Sequence, residues 1–383
     1  EKLLEVCSNL GLTAVEIRTE LDADVVPYVQ GLEIQRIPIE APDEAKEIRL
    51  LLEQVYADQV ERLKKIGFLA GKPKPSTKDI LAAGDEIRRR LDGGDKDGRL
   101  FSAMTAQAIA MKANHAITLA ETQGMGSLRS YFDRIETDVR SRADTQFLKH
   151  AKVQEAITIA RETSAEHPKL KKTAWVVRDQ FMAKPDSKII VFTHYRETAD
   201  TVTRELSKLP GIRAVRFVGQ ASKGEDVGLK QKEQVDILDR FRNGELNVIV
   251  ATSIGEEGLD IPQVDLVVFY EPVPSEIRTI QRRGRTGRSA RGKVVMLVTT
   301  DTRDEAFLYS AKRKERKMHQ ELDRLRRDLK QRIFVGEPGG EMFVTAAPEK
   351  LLEAKREASR ERAMTPDIPR RPSKKGPTTL DDY

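Results

Sequence analysis

The stretch Val248-Ile249-Val250-Ala251-Thr252-Ser253-Ile254-Gly255-Glu256-Glu257-Gly258-Leu259-Asp260-Ile261-Pro262 decides how this chain is read. Its apolar opening has the pattern of a buried strand. A strand that ends in small hydroxyl residues and glycines makes the phosphate-side loop of many α/β proteins, where backbone N–H groups meet an anion. An acid placed after such a loop can take a ribose hydroxyl. Upstream, Lys188-Ile189-Ile190-Val191-Phe192-Thr193-His194-Tyr195-Arg196 is another short apolar strand ending in polar groups. Downstream, Gln281-Arg282-Arg283-Gly284-Arg285-Thr286-Gly287-Arg288 sets arginines around glycines. Glycine lets the backbone approach a ligand closely, and arginine offers a planar, permanently charged fork that matches phosphate oxygens. A plain basic patch is the competing reading of those arginines. The order of the three stretches, spaced by strand–helix units, argues against it.

Outward from these stretches, residues Ser187 to Thr300 alternate apolar strands with helices. The strands are predicted at Ile189–Phe192, Ala214–Phe217, Val248–Val250, Leu266–Phe269 and Val294–Val298. That rhythm implies a parallel sheet with helices on both faces, whose ligand loops leave the carboxyl ends of the strands. From Asp43 to about Met182 the pattern is helical throughout. Ile48, Leu51, Leu52, Val55 and Tyr56 mark one helix, Leu100, Phe101, Met104, Ala108 and Met111 another, and Val153, Ile157 and Ala160 a third. Breaks are expected at Gly71-Lys72-Pro73, Gly93-Gly94 and Gly124. Before this region, Leu3 to Leu10 fits a helix, and Ala14–Ile17 and Leu32–Ile34 read as short strands. Asp301 to Arg332 reads as one charged helix, with Met318, Leu322, Leu325 and Leu329 along one side. After Gly336 the composition turns to Pro, Lys, Arg, Glu and Ser, the signature of a disordered linker.

At 383 residues the chain is long enough for two or three domains. One third of its residues are charged and the net charge is +6, which suits a polyanionic partner. No apolar run is long enough to span a bilayer and no leader pattern opens the chain, so a cytoplasmic protein without membrane contact is expected. The single cysteine, Cys7, excludes an internal disulfide, and five scattered histidines show no metal spacing.

The order "VFTHYR", "ATSIGEEGLDIP", "QRRGRTGR" resembles motifs IV, V and VI of superfamily 2 helicases. More specifically, Phe217 to Phe241 and Asp265 to Ile280 are similar to the archaeal Hef-type fork-structure helicase/nuclease and its relative, the Fanconi anaemia group M translocase. The resemblance covers Glu1 to about Leu329. It implies an α/β fold of four parts: residues 1–42 as the C-terminal remnant of a first RecA-like domain, and 43–182 as a helical, thumb-like insertion. Residues 183–332 would form a second RecA-like helicase C-terminal domain with a terminal helix, and 333–383 a disordered basic tail.

The same resemblance implies an ATP-dependent DNA helicase or translocase acting on forked or branched DNA in repair or fork restart. Arg285 and Arg288 would be its catalytic arginine fingers. Gly258, Asp260, Gln281 and both fingers would face the nucleotide, with Asp260 on the ribose. Thr193, Tyr195, Arg196, Gly219, Gln220, Thr252 and Ser253 would hold one DNA strand by its phosphates, contacts that position without reading sequence. In the helical part, Arg88, Arg89 and Arg90 would grip duplex phosphates, or else form a solvated helix face. Thr193 and Thr252 as strand caps, and Arg282 and Arg283 as solvated cations, are the plainer readings. His115 is expected to pack in a core, His194 to lack a carboxylate partner, and Trp175 to be a packing residue.

ATP with Mg²⁺ is the implied cofactor, and both need parts this sequence does not contain. Gly67-Phe68-Leu69-Ala70-Gly71-Lys72-Pro73 is one residue short of a P-loop and has proline where a hydroxyl must hold magnesium. The expectation is therefore an N-terminal RecA-like half as partner, with this chain inactive alone. Archaeal members also carry a nuclease domain, but Glu315-Arg316-Lys317 lacks the strand and acids of such a site. The ending Thr378 to Tyr383 only faintly resembles a sliding-clamp-binding peptide. The rival functions are an RNA-directed relative of the dicer or RNA-sensor type, and a non-catalytic DNA-binding module.

Overall fold

The computed structural model describes residues 32–95, 97–164, 166–220, 228–252, 261–275 and 292–335, together with Val6, Asn9, Leu10, Arg278, Thr279, Arg282, Arg285 and Thr286. Of the helix expected at Leu3 to Leu10 only Val6, Asn9 and Leu10 are described, Val6 and Asn9 as helical; the strand expected at Ala14–Ile17 and the tail after Gly336 lie outside the described residues. The elements run β1 (Leu32–Ile39), α1 (Asp43–Ile66), α2 (Thr77–Asp92), α3 (Gly98–Thr122), α4 (Met125–Thr137), α5 (Arg142–Leu148), α6 (Ala151–Glu162), α7 (Pro168–Ala183), β2 (Ile189–Phe192), α8 (Arg196–Leu206), β3 (Ala214–Phe217), α9 (Gln231–Arg242), β4 (Val248–Ala251), β5 (Leu266–Phe269), β6 (Gly292–Thr299) and α10 (Arg303–Val335).

The strands form one sheet in the order β1-β6-β5-β2-β4-β3, and every pairing is parallel. Every residue of β2, β4 and β5 is buried. A parallel strand covered on both faces must be apolar at consecutive positions, which is why Ile-Ile-Val-Phe, Val-Ile-Val-Ala and Leu-Val-Val-Phe are legible as strands. Alternate side chains go to opposite faces. Ile189, Val191, Val248, Val250, Leu266 and Val268 join Val176 and Val177 of α7 and Ala199 and Val202 of α8. Ile190, Phe192, Ile249, Ala251, Val267 and Phe269 join Ile237, Leu238 and Phe241 of α9 and Leu308 of α10. This is the expected α/β architecture, a parallel sheet covered by helices on both sides.

Two assignments change. The strand expected at Leu32–Ile34, in the remnant of a preceding domain, runs to Ile39 and is the edge strand of this same sheet. It pairs with β6 from Leu32↔Gly292 to Ile39↔Thr299 and sends Ile37 and Ile39 into the sheet core. Its partner lies 260 positions away, beyond the reach of any local pattern. Likewise α7, placed in the helical insertion, packs on the sheet through Leu170, Val176 and Val177. Helical periodicity reports a helix, not the surface it covers.

The insertion is thus α1 to α6, built around two long helices. Along α3, Ala103, Ala106, Ala110, Ala113, Ala116 and Ala120 are all buried. Small side chains at three- and four-residue steps let α1 lie close along it. The C-terminal half of α1 holds α2 through Val60, Leu63, Ile80, Ala83 and Ile87, while Ala45, Ile48 and Leu52 serve a core shared with α4 to α6. Breaks fall at the expected glycines and also at Ser141, His150 and His167, each of which accepts a backbone N–H to cap the next helix. Trp175, expected to be a packing residue, is 44% exposed with the Lys172 Nζ 4.0 Å above its ring. No helix among the described residues is long and apolar enough to cross a membrane.

Polar contacts join insertion and sheet. Lys169 is fully buried and pairs with the equally buried Asp304. Its Nζ also donates to the Thr122 carbonyl at the end of α3, and Asp304 accepts the Thr299 N–H at 2.9 Å. Arg303 donates to the Asn114 carbonyl and the Thr118 hydroxyl and lies 3.7 Å from Glu121. Thr198 of α8 donates to Gln123, and Arg134 pairs with Glu197 at 2.6 Å. Gly124 (φ 97°) makes the close approach possible, since a Cβ there would sit 2.8 Å from the His167 Cβ.

Removing one member of a buried ion pair leaves an uncompensated charge, which costs about 3–5 kcal/mol. Lys169→Met is expected to lower unfolding stability by about that amount in urea titrations, and adding Asp304→Asn to recover much of it. His167 offers a pH test. Burial first, then the Lys169 charge, hold its pKa down to about 3. A histidine depressed on folding contributes stability that is full above its unfolded pKa and is lost as pH falls toward the folded one. Thermal stability should therefore fall on acidification from about pH 6.5 toward pH 3, and His167→Gln should remove part of that slope.

Candidate nucleic-acid interface

Parallel pairing sets the carboxyl ends of β2, β4 and β3 side by side. Thr193 follows β2, Thr252 follows β4, and Gly219 and Gln220 follow β3, so four of the expected strand-binding positions share one crest. The sheet continues briefly into these loops: the Thr193 N–H donates to the Ala251 carbonyl at 2.9 Å and the Thr252 N–H to Phe217 at 3.2 Å. The loop after β3 is held from below by Gln234 of α9, whose amide donates to the Val218 carbonyl at 3.1 Å. Its two ends pinch together at Gly228, where a Cβ would collide with the carbonyl oxygens of Gly219 and Gln220. Glycine is required there by space.

The side chains do not all face outward. Thr193 is fully buried, its hydroxyl has no hydrogen-bond partner, and Thr252 is 6% exposed. Arg196 turns its guanidinium onto the Gly219 carbonyl at 3.0 Å, bracing the loop. Tyr195 packs against the insertion's core, 5.9 Å from the His115 ring, and burial pushes its pKa up to about 12. Gln220 is exposed. His115 is half-buried, edge-on to Tyr131 at 4.8 Å.

Arg88, Arg89 and Arg90 stand apart from the crest, on α2 near the far end of α1. Arg88 is paired with Asp85 and Arg90 with Glu86, both at 2.7 Å. Neighbouring acids therefore partly offset that run, as on a solvated helix face.

Of the nucleotide-facing set, only Arg285 is described; Gly258, Asp260, Gln281 and Arg288 lie outside the described residues, as does Ser253. The Arg285 carbonyl accepts the Val264 N–H at 3.0 Å, which places its backbone just before β5, at the amino ends of the strands and away from the crest. Arg282 is not solvated. It is fully buried, with its guanidinium carbon 4.8 Å from the Phe192 ring centre and 5.8 Å from that of Phe269. A cation over two ring faces is held by their quadrupoles.

Below the crest lies a carboxylate that pattern reading passed over. Glu271, two residues past β5, is 4% exposed and accepts the main-chain N–H of His194, not its imidazole. Burial raises its pKa to about 7, Lys169 and Arg282 acting to lower it and Asp304 to raise it. Burial, with the Arg282 and Arg278 charges, lowers that of His194. The available signal was a lone acid immediately beyond an all-apolar strand. Among the described residues no group of His, Cys, Asp and Glu is placed to hold a metal ion.

Comparison with known proteins bears on both halves. Residues 44–167 match the family described as putative ATP-dependent RNA helicase, helical bundle, and residues 171–290 match the helicase conserved C-terminal domain. The crystal structure of the Pyrococcus furiosus Hef helicase domain superposes with a TM-score of 0.65 at 44% identity, over 81% of this chain and 64% of that one. A putative ATP-dependent RNA helicase of Methanocaldococcus jannaschii is 37% identical over 83% of this chain and 40% of its own length. The ATP-dependent DNA helicase Mph1 of Neurospora crassa is 33% identical over 80% of this chain and 28% of its own. The chain thus spans less than half the length of these curated relatives. With its parallel sheet, its helical insertion and its three motifs in order, the chain is a Hef- and Fancm-like superfamily 2 helicase C-terminal region.

Proposed function

We propose that this chain is the strand-gripping and arginine-bearing part of an ATP-dependent DNA helicase or translocase that acts on forked or branched DNA. The observation that carries the reading is the crest. Three adjacent parallel strands deliver Thr193, Thr252 and Gly219-Gln220 to one line, while Arg285 lies beyond the other end of β5. A DNA strand on the crest meets backbone and amide donors that hold phosphates without reading bases. With Thr193 and Thr252 buried and their N–H groups spent on the Ala251 and Phe217 carbonyls, the proposed donors are the Gln220 amide and the main chain of Gly219-Gln220. Tyr195 and Arg196 act from beneath, as supports.

The nucleotide's γ-phosphate supplies the charge that arginine fingers neutralise during transfer, and Arg285 and Arg288 are the residues proposed for that task. Asp260 is proposed for the ribose, with Gly258 and Gln281 lining the nucleotide face. The magnesium acid and P-loop lysine belong to a preceding RecA-like half, which is this chain's proposed partner. The helical insertion is proposed to confer preference for branched structures, with Arg88 and Arg90, alongside Arg89, exchanging their Asp85 and Glu86 partners for duplex phosphates. A cytoplasmic repair or fork-restart setting follows from the same reading.

An RNA-directed activity is the second reading. It is favoured by the helical-bundle family and the Methanocaldococcus relative, both described as RNA helicases.

In the longer protein, Arg285→Ala and Arg288→Ala should each leave ATP binding nearly intact and lower kcat by about 10³-fold or more. Hydrolysis above about a tenth of the wild-type rate would remove that residue from the finger role. The 383-residue chain should bind forked DNA with steep salt dependence yet show no DNA-stimulated ATPase. Tighter binding to an RNA fork of the same sequence would favour the second reading, and ATPase abolished by Arg288→Ala would show a nucleotide site within this chain.

A further inference from the structure

Glu271 occupies a place that neither strand contacts nor phosphate chemistry explains. The register Phe192↔Phe269 makes β2 and β5 neighbours to their last residues, and the Tyr270 N–H still donates to the Phe192 carbonyl at 2.9 Å. Beyond that point the strands part, and the next donor on the β2 side is the His194 N–H. Glu271 takes it with one carboxylate oxygen, while the other, also buried, has no hydrogen-bond partner. Arg282 lies over the rings of Phe192 and Phe269, the residues just before Thr193 and the Tyr270-Glu271 pair. The charged groups around Glu271 come from separate elements: Lys169 from α7, Asp304 from α10 and Arg282 from the arginine motif. His194 stands beside it, itself facing Arg278 and Arg282.

We propose that Glu271 is a positioning residue that fixes the Thr193-His194 turn relative to Arg282, so that the strand-gripping crest and the arginine motif are set as one unit. This inference rests on the crest being a strand-binding surface. A carboxylate suits the task because its ionised form makes a stronger hydrogen bond to a backbone N–H than a neutral acceptor does, and it also supplies a counter-charge to the buried guanidinium. A pKa raised to about 7 means that the ionised form grows in as the solution passes neutrality. By linkage, the raised value contributes stability that is full below the unfolded pKa and is lost as pH rises through about 7. Tighter positioning above neutrality is therefore accompanied by lower stability.

The test compares wild type, Glu271→Gln and Glu271→Leu, as the whole 383-residue chain, by fluorescence anisotropy on a labelled single-stranded oligonucleotide at pH 6 and pH 8. Glutamine keeps the acceptor and mimics the protonated acid, whereas leucine cannot accept. The ratio of the Glu271→Gln dissociation constant to that of wild type should be near one at pH 6 and rise at least about 3-fold by pH 8. The same ratio measured on a His194→Gln background removes that imidazole's own protonation from the comparison. Glu271→Leu should bind at least about 10-fold more weakly at both values. A ratio that stays flat, or falls, overturns the role of Glu271 even if the leucine variant fails to fold, because the glutamine variant is the deciding arm. Wild type that does not bind the strand at all overturns the strand-binding reading, and this inference with it.

Discussion

Lys169 brings an ammonium group into the fully buried seam between the helical insertion and the sheet, where it meets Asp304 and the Thr122 carbonyl. Neither charge is tolerable there alone, so the seam closes only when both elements are in place. Asp304 is at the same time the acceptor for the last N–H of β6, at Thr299. One pair thereby ties together α3, α7, β6 and α10. Hydrophobic contacts could hold these elements in several rotations; a buried ion pair with directional hydrogen bonds permits few.

The insertion's attachment is accordingly polar rather than greasy. Arg303, Glu121 and Arg49 continue the network along the β1 side, with Arg49 reaching Glu121 at 3.2 Å and the Asp301 carbonyl at 2.7 Å. On the crest side, Thr198 with Gln123 and Tyr195 with His115 continue it. Tyr195 sits one residue before Arg196, which braces the Gly219 loop. The insertion therefore touches the residues that shape the crest.

Most of the sheet was legible because parallel strands covered on both faces have to be apolar at successive positions, as Ile189–Phe192 and Leu266–Phe269 are. What was not legible has physical reasons. Leu32–Ile39 carries polar Gln35 and Arg36 as an edge strand does, and its partner enters the chain 260 positions later. The place of α7 depended on a surface that its own periodicity does not name. Glu271, Arg282 and Lys169 were hidden because charged side chains are ordinarily solvated, and only the folded arrangement supplies the rings and counter-charges that let them be buried. Thr193 and Thr252 were found by position, but both are buried, since a residue just past a buried strand inherits that strand's burial.

The placement of β1 has a mechanical meaning. The chain that precedes Leu32 enters the sheet through this strand, and β1 is joined to β6 by eight registered parallel pairs. Tension applied from that side acts along the strand axis, so the ladder is loaded in shear and its evenly spaced hydrogen bonds resist together instead of unzipping one at a time. A strand anchored this way behaves as a tow bar: pulling forces pass into the sheet lengthwise, bypassing the helical insertion that follows it in sequence.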